Sequence, residues 1–194
     1  WYSCPHTCFR RDTVLADSSV VTGEVWSFFT GVPPVPVTLD LPIFDGFEDG
    51  LGNWVSGGAE TYVANLFVYE GTNSVHISDN AAGSVLMLAK PIDATAYSSL
   101  TIDFRFKMVS LNPSDEPYIE YFDGGGWKLI GAFGSTNGYV NNVVYHETIL
   151  IDTNSYTLPA DALFRFRQAG NGGGDHIYYD AISISGVELP TYAN

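Results

Sequence analysis

The chain has 194 residues, of which 45% are hydrophobic, and this is enough for one sizeable domain with a further segment attached. Its 22 acidic and 8 basic residues give a net charge of −14, which argues against binding to nucleic acid or to anionic lipid. The sequence contains no run of about 18 or more apolar residues, so we predict no insertion into a membrane.

The composition is typical of an extracellular β-protein. Only 15% of the residues are charged, and 20 Gly, 12 Tyr and 12 Phe favour many short strands joined by turns. The chain starts at Trp1 and its first residues lack the features of a signal peptide, so we expect a processed form or a fragment of a secreted precursor. We therefore expect an extracellular or cell-surface location.

Residues 1–30 form a strand-like N-terminal segment that is too short to bury a core of its own. The only two cysteines, Cys4 and Cys8, lie in "CPHTC". Their short spacing and Pro5 favour a disulfide, within or between chains, over free thiols or a metal site that includes His6.

The second half of this segment, "SSVVTGEVWSFFT", is apolar and favours strand structure. It precedes the Pro-rich linker 31–42, which should run extended. The segment can pack on the following domain, be the remnant of a preceding domain, or add a strand to a neighbouring copy. The predicted assembly residues are Val20, Val21, Val25, Trp26, Phe28 and Phe29.

Residues 43–188 read as a series of β-strands separated by Gly, Asn, Asp, Ser and Pro clusters. Alternation is clearest in "SLTIDFRFKMVS", where Leu100, Ile102 and Phe104 share one face. Other strand-like runs are "ETYVANLFVYE", "NSVHIS", "SVLMLA", "PYIEYFD", "WKLIGAF", "VVYHETILI", "ALFRFRQ" and "HIYYDAISISG". These runs predict an all-β fold, an antiparallel two-sheet sandwich of the jelly-roll type, with a short tail at 189–194.

Acidic residues stand among aromatic residues in "IFDGFEDGLGNW", which opens this domain. In the last strand, strict alternation would place Asp180 on the same face as Ile182 and Ile184, so its carboxylate should be largely buried. A buried carboxylate needs a partner.

Two stretches carry a resemblance to known extracellular families. "FEDGLGNW" resembles the opening of a MAM-type jelly roll, and "GGGDHIYYDAISISG" is similar to its closing strand. The stretch between them resembles bacterial extracellular jelly rolls found beside secreted hydrolases and adhesins, and "VVTGEVWSFFT" resembles the final strand of fibronectin-III-like domains. These resemblances imply a modular and non-catalytic protein.

The resemblance also implies a structural calcium ion between the first and last strands of the domain. The matching positions are Glu48, Asp49 and Asp180. Calcium takes six to eight oxygen ligands, which carboxylates and backbone carbonyls of a Gly-rich turn can supply. In the alternative, Asp180 accepts hydrogen bonds from backbone N–H groups, and Glu48 and Asp49 belong to a solvated turn.

The sequence contains none of the common catalytic motifs, and we predict no catalytic residue and no enzyme. Glu116 and Glu120 lie four residues apart and so imitate a glycosidase pair. Pro117 intervenes, and a solvated strand edge is the favoured interpretation.

Aromatic residues near the predicted loops are candidate sugar-stacking platforms. They are Tyr118, Tyr121, Trp127, Tyr139 and Tyr145. In the alternative, these rings belong to the core or to the sheet faces, which is the usual place of aromatic residues in a β-protein.

Two functions follow from these features. In the first hypothesis, the protein is a non-catalytic extracellular structural or adhesive subunit that binds copies of itself through its N-terminal segment and builds a filament or surface layer. The alternative is a carbohydrate-binding module of a secreted multidomain hydrolase, with polysaccharide as its partner.

Overall fold

The computed structural model describes residues 13–14, 20–21, 37–58, 60–78, 84–168 and 174–190. The chain divides into two compact units, Trp1–Pro36 and Val37–Asn194. In the first unit, β1 (Thr13–Val14) pairs antiparallel with β2 (Val20–Val21). This backbone pairing is all that the structure describes of the predicted N-terminal segment.

Most of the predicted N-terminal interactions therefore lie outside the described residues. The cysteines of the predicted disulfide, Cys4 and Cys8, lie outside the described residues. So do four of the six assembly residues, which are Val25, Trp26, Phe28 and Phe29. Self-assembly and the disulfide stay predictions.

The second unit is a sandwich of two antiparallel sheets, as the strand pattern predicts. Its strands are β3 (Ile43–Asp45), β4 (Trp54–Gly57), β5 (Thr61–Ala64), β6 (Ser74–Ser78), β7 (Val85–Leu88), β8 (Tyr97–Val109), β9 (Pro117–Phe122), β10 (Trp127–Ala132), β11 (Val144–Asp152), β12 (Leu163–Gln168) and β13 (His176–Glu188). A five-stranded sheet has the order β10-β9-β12-β7-β4, and a six-stranded sheet has the order β11-β8-β13-β6-β5 with β3 paired to β13.

Two short 3₁₀ turns lie between strands, Ala94–Ala96 between β7 and β8 and Ser135–Asn137 between β10 and β11. In the ranges given above, no helix combines the length and the apolar character needed to cross a bilayer. The unit begins before β3, because the backbone N–H of Leu39 donates to the carbonyl of Pro91 at 2.8 Å.

Strand alternation builds the core between the sheets. In β8 every second residue is buried, and β12 contributes Phe164 and Phe166 from the opposite sheet. The inward residues of β8 are Leu100, Ile102, Phe104, Phe106 and Met108. Each such side chain stabilises the fold by roughly 1.5–3 kcal/mol on burial.

The prediction that Asp180 shares a face with Ile182 and Ile184 is wrong, because β13 contains a β-bulge. The pairing with β8 shifts between Asp180 and Ser183, and Ala181 has a φ of 48°. The bulge inverts the alternation, so Ile182 points into the core while Asp180 points outward. The prediction that Asp180 is buried is confirmed, since it is 2% exposed, but its cover is a loop and not the core.

That loop is a second correction, because only the first part of the strand-like run "ETYVANLFVYE" is a strand. β5 ends at Ala64, and residues 65–73 form a loop that leads into β6. The Asp180 carboxylate accepts hydrogen bonds from the backbone N–H groups of Tyr69 and Glu70 at 2.7 and 2.9 Å. These N–H groups are bonded to a side chain instead of a neighbouring strand.

Candidate functional site

The outward side chains of the five-stranded sheet form the candidate site, which we call the five-strand face. Alternation sends Phe164 and Phe166 of β12 into the core and turns Arg165 and Arg167 outward. Strand register arranges the outward residues in three rows that cross the sheet. The rows are Trp127, Phe122 and Leu163; Leu129, Glu120, Arg165, Met87 and Val55; and Tyr118, Arg167, Val85 and Gly57.

A carboxylate between two guanidinium groups organises the centre of this face. Oε2 of Glu120 accepts hydrogen bonds from the Nε atoms of Arg165 and Arg167, each at 2.7 Å. Oε1 accepts a third bond from Nη2 of Arg167 at 3.1 Å. Glu120 is 7% exposed, so the group is held between the arginines and largely shielded from water.

The charge of Glu120 follows from these contacts. Burial raises the pKa of its carboxyl group, but the hydrogen bonds from Arg167 and Arg165 outweigh burial and lower this pKa below its usual value. The carboxylate is therefore ionised at neutral pH. Two cations against one anion leave one net positive charge at the centre of the face.

The same arginines stack on the two aromatic rings of the face. Cζ of Arg165 lies 4.0 Å from the ring centroid of Trp127, and Cζ of Arg167 lies 4.8 Å from that of Tyr118. Phe122 packs against Trp127 with a centroid separation of 5.6 Å. These cation–π and ring contacts fix both rings, and both keep part of their surface in contact with solvent.

The structure brings together two of the five predicted sugar-stacking residues, Tyr118 and Trp127. The prediction for Tyr121 is wrong, because this ring is fully buried and its hydroxyl donates to the carbonyl of Thr157 at 3.0 Å. Alternation explains the difference, since Tyr118 and Tyr121 are three residues apart on β9 and so point to opposite sides.

Tyr139 and Tyr145 also lie away from the five-strand face. Tyr145 stacks on the core residue Phe106 at 5.3 Å, and Tyr139 contacts Tyr145 edge to face at 4.8 Å. Burial and the hydrogen bond to Glu147 raise the pKa of Tyr139 to about 12. Both rings are half-buried and pack at the edge of the core, so they do not belong to the five-strand face, and sugar binding by them stays a prediction.

The predicted calcium ligands have separate partners in the structure. Glu48 accepts bonds from the backbone N–H groups of Thr72 and Asn73 at 2.9 and 2.8 Å, while Asp180 holds the other end of the same loop. Backbone N–H bonding from Thr72 lowers the pKa of Glu48. Asp49 is exposed.

Within the part of the chain that the structure describes, no three His, Cys, Asp or Glu side chains gather so that they could hold a metal ion. Calcium binding by Glu48, Asp49 and Asp180 stays a prediction. A lower Tm in excess chelator would support it.

Sequence reasoning missed Arg165, Arg167 and Phe122 as members of the site. The pattern "ALFRFRQ" contained the necessary information, because alternation places both arginines on the face opposite two buried phenylalanines. The pattern does not show which residues of the neighbouring strand lie beside the arginines. The pairing of Arg165 with Glu120 depends on the register between β9 and β12.

No family model matches the chain, and no curated protein matches it in sequence. Solved structures match in fold. The CBM22-1 xylan-binding domain of Paenibacillus barcinonensis Xyn10C has a TM-score of 0.55 and 14% identity, over 76% of this chain and 95% of that one.

Two further structures show the same likeness. The xylan-binding module CBM15 has a TM-score of 0.52 and 12% identity, over 77% of this chain and 99% of that one. The CBM22-1 and GH10 modules of Clostridium thermocellum xylanase 10B, solved with xylohexaose, have a TM-score of 0.53 and 12% identity, over 74% of this chain and 28% of that one. At these identities the likeness shows a shared β-sandwich fold.

Proposed function

We propose that the second unit is a carbohydrate-binding module that holds a xylan-type polysaccharide on the five-strand face. The observation that carries the proposal is the pair of rings, Trp127 and Tyr118, on one sheet face, each stacked with the guanidinium group of an arginine. The fold likeness to xylan-binding modules supports this alternative better than self-assembly.

The face supplies both kinds of contact that a sugar chain needs. A pyranose ring has an apolar face of C–H groups that stacks on an aromatic ring, and the rings here are already fixed, so little side-chain entropy is lost on binding. Its hydroxyl groups need hydrogen-bond partners. The guanidinium groups of Arg165 and Arg167 carry N–H donors beyond those that bind Glu120.

We infer that the face binds without catalysis. Glu120 is tied to two arginines, and Glu116 is bonded to the hydroxyl of Thr136. A glycosidase needs one carboxyl group that can donate a proton, yet the arginines keep the pKa of Glu120 low. An extracellular location follows from this function, because the polysaccharide lies outside the cell.

Calorimetric titration with xylohexaose tests the proposal. We expect the wild type to bind, and Trp127→Ala and Tyr118→Ala each to weaken binding about tenfold, which corresponds to about 1.4 kcal/mol per lost ring contact. Val140→Ala is the control, because Val140 is an exposed apolar residue in the loop before β11 and outside the five-strand face.

Melting curves of each variant show whether it is folded. About tenfold weaker binding in both ring variants, with Val140→Ala unchanged, would support the proposed site. Equal affinity in the wild type and both ring variants would contradict it.

A further inference from the structure

The opposite side of the sandwich carries a second set of aromatic and cationic residues, which we call the six-strand face. It consists of the outward side chains of the six-stranded sheet and of the loop 65–73. Strand register places one residue from each of five strands in a single row, which is Tyr62, His76, Tyr178, Lys107 and Val144. Four strand spacings of about 4.8 Å make this row about 19 Å long.

Ring contacts connect this row. Tyr62 meets His76 edge to face at 4.9 Å, and His76 stacks on Tyr178 at 4.6 Å with an interplanar angle of 13°. Phe67 of the loop lies over the row, with its ring centroid 4.7 Å from that of Tyr178. The rings of Tyr62 and Phe67 are therefore supported from the sheet side.

Two cations from β8 stack on the loop rings. Nζ of Lys107 lies 3.9 Å from the ring centroid of Phe67, and Cζ of Arg105 lies 4.3 Å from that of Tyr69. Phe67 is 43% exposed and Tyr69 is 56% exposed, so part of each ring is in contact with solvent. This is the arrangement of Trp127 and Tyr118 on the five-strand face, repeated on the other sheet.

The loop that presents these rings is held in place before any ligand binds. Phe67 has a φ of 51°, a left-handed conformation that is unfavourable for a non-glycine residue and persists where other contacts enforce it. The enforcing contacts are the bonds from the N–H groups of Tyr69 and Glu70 to Asp180, and those from Thr72 and Asn73 to Glu48.

Polar side chains continue the face beyond the rings. Asp103 accepts bonds from Thr148 at 2.6 Å and pairs with His146 at 2.7 Å, and Arg105 lies 3.8 Å from the same carboxylate. His146 and Thr148 are exposed. Sugar hydroxyl groups would find both donors and acceptors here.

We propose that the six-strand face is a second glycan-contact surface, so that one domain binds two polysaccharide chains, one on each sheet. This rests on the proposed function of the five-strand face. A glycan is favoured over a protein partner because the face repeats the ring and cation pairs of the five-strand face and adds polar side chains that can bind hydroxyl groups. Lys107 and Asp103 also belong to residue types that are depleted at the centre of protein–protein interfaces.

Calorimetric stoichiometry with xylohexaose tests this inference. At ligand concentrations where a site weakened about tenfold gives no measurable heat, we expect two molecules bound per wild-type chain, one per chain in Tyr69→Ala, one in Trp127→Ala, and none in the double variant. Tyr69 is chosen because its side chain is exposed and its backbone N–H, which binds Asp180, is kept. Tyr62→Ala, on β5, is a second variant with the same expected result, and Val140→Ala is the control, because Val140 is an exposed apolar residue in the loop before β11 and outside both faces.

The outcomes separate the two proposals. One bound molecule, lost in Trp127→Ala and kept in Tyr69→Ala and Tyr62→Ala, would overturn the second surface and leave the first. No binding to the wild type would overturn both. If the wild type sediments as a dimer that Tyr69→Ala converts to a monomer, the face is an interface between copies of this chain and the glycan inference is wrong.

Discussion

Acidic side chains near the first turn and in the last strand accept hydrogen bonds that hold the surrounding backbone in place. Asp45 accepts bonds from the backbone N–H of Asn53 at 3.2 Å and from Nε1 of Trp54 at 2.9 Å. Glu48 and Asp180 bind the two ends of the loop 65–73. A carboxylate among aromatic residues is tolerated here because each oxygen has donors.

Replacing Asp180 tests this role. In Asp180→Ala the N–H groups of Tyr69 and Glu70 lose their acceptor beneath the loop, so we expect the free energy of unfolding to fall by about 1–3 kcal/mol. Urea unfolding measures the loss. Asp49→Ala, which removes an exposed carboxylate, is the control and should stay within about 0.5 kcal/mol of the wild type.

Two outcomes would contradict this account of Asp180. One is a stability of Asp180→Ala equal to that of the wild type. The other is that Asp49→Ala loses as much stability as Asp180→Ala, and that both differences from the wild type disappear in excess chelator. This second result would favour the predicted calcium ion.

His76 gives the protein a dependence on pH. Burial and the neighbouring His176 lower the pKa of His76 from 6.5 to about 4, against the opposing effect of Glu60. The unfolded chain therefore binds a proton at His76 below about pH 6.5 while the folded chain does so only below about pH 4. Stability should fall as the pH is lowered between these values, by roughly 1–3 kcal/mol, and the contribution of His76 should level off below them.

His76→Phe should flatten this part of the profile. Phe keeps a ring against Tyr178 but cannot bind a proton. Tm measured at intervals from pH 7 to pH 4 shows the slope, and His146→Gln, on the polar part of the same face, should retain it. A profile in His76→Phe as steep as that of the wild type would assign the effect to other groups.

At the scale of the elements, strands with regular alternation were predictable and irregular ones were not. β8 alternates without interruption from Leu100 to Met108, and its buried face follows from the sequence. β13 does not, because the bulge lies at Ala181, where a glycine would have marked a φ of 48° and an alanine gives no sign. The residues after Ala64 have strand propensity, but carboxylates distant in sequence bind their N–H groups.

The turn before β4 contains a glycine whose conformation and surroundings disfavour any side chain. Gly52 has a φ of 56°, and a Cβ atom there would lie 1.9 Å from Oδ1 of Asp45. We expect Gly52→Ala to cost more than about 2 kcal/mol, since it adds backbone strain and breaks the bonds from Asn53 and Trp54 to Asp45.

Gly50→Ala is the matched control. Gly50 also has a positive φ, 105°, but nothing lies within 4 Å of a Cβ atom there, so this variant reports backbone strain alone. Tm values of the two variants give the comparison. A loss in Gly52→Ala of no more than about 1–2 kcal/mol, the cost of the left-handed backbone alone, would show that the contact with Asp45 does not contribute.

At the scale of the whole molecule, the sequence predicted the fold better than the site. Composition and strand spacing were enough for a two-sheet sandwich, and the structure confirms it. The site requires register, because only pairing between β9, β10 and β12 brings Trp127, Glu120 and Arg165 together. No local pattern contains that information.

The two outer sheet faces carry a large share of the positive charge of an acidic chain. The net charge is −14, yet four of the 8 basic residues, Arg105, Lys107, Arg165 and Arg167, stack on rings on the two outer sheet faces. The acidic remainder of the surface disfavours polyanions as ligands. A neutral polysaccharide meets no such barrier, which agrees with the proposed function.

The central claim is that the five-strand face binds a xylan-type chain, and amide chemical shifts of the wild-type protein titrated with xylohexaose test it most directly. The account predicts that shifts concentrate in β9, β10 and β12 and include the indole N–H of Trp127, with a second set around Tyr62 and Tyr69 if both faces bind. Unchanged shifts in β9, β10 and β12 at millimolar ligand would contradict it.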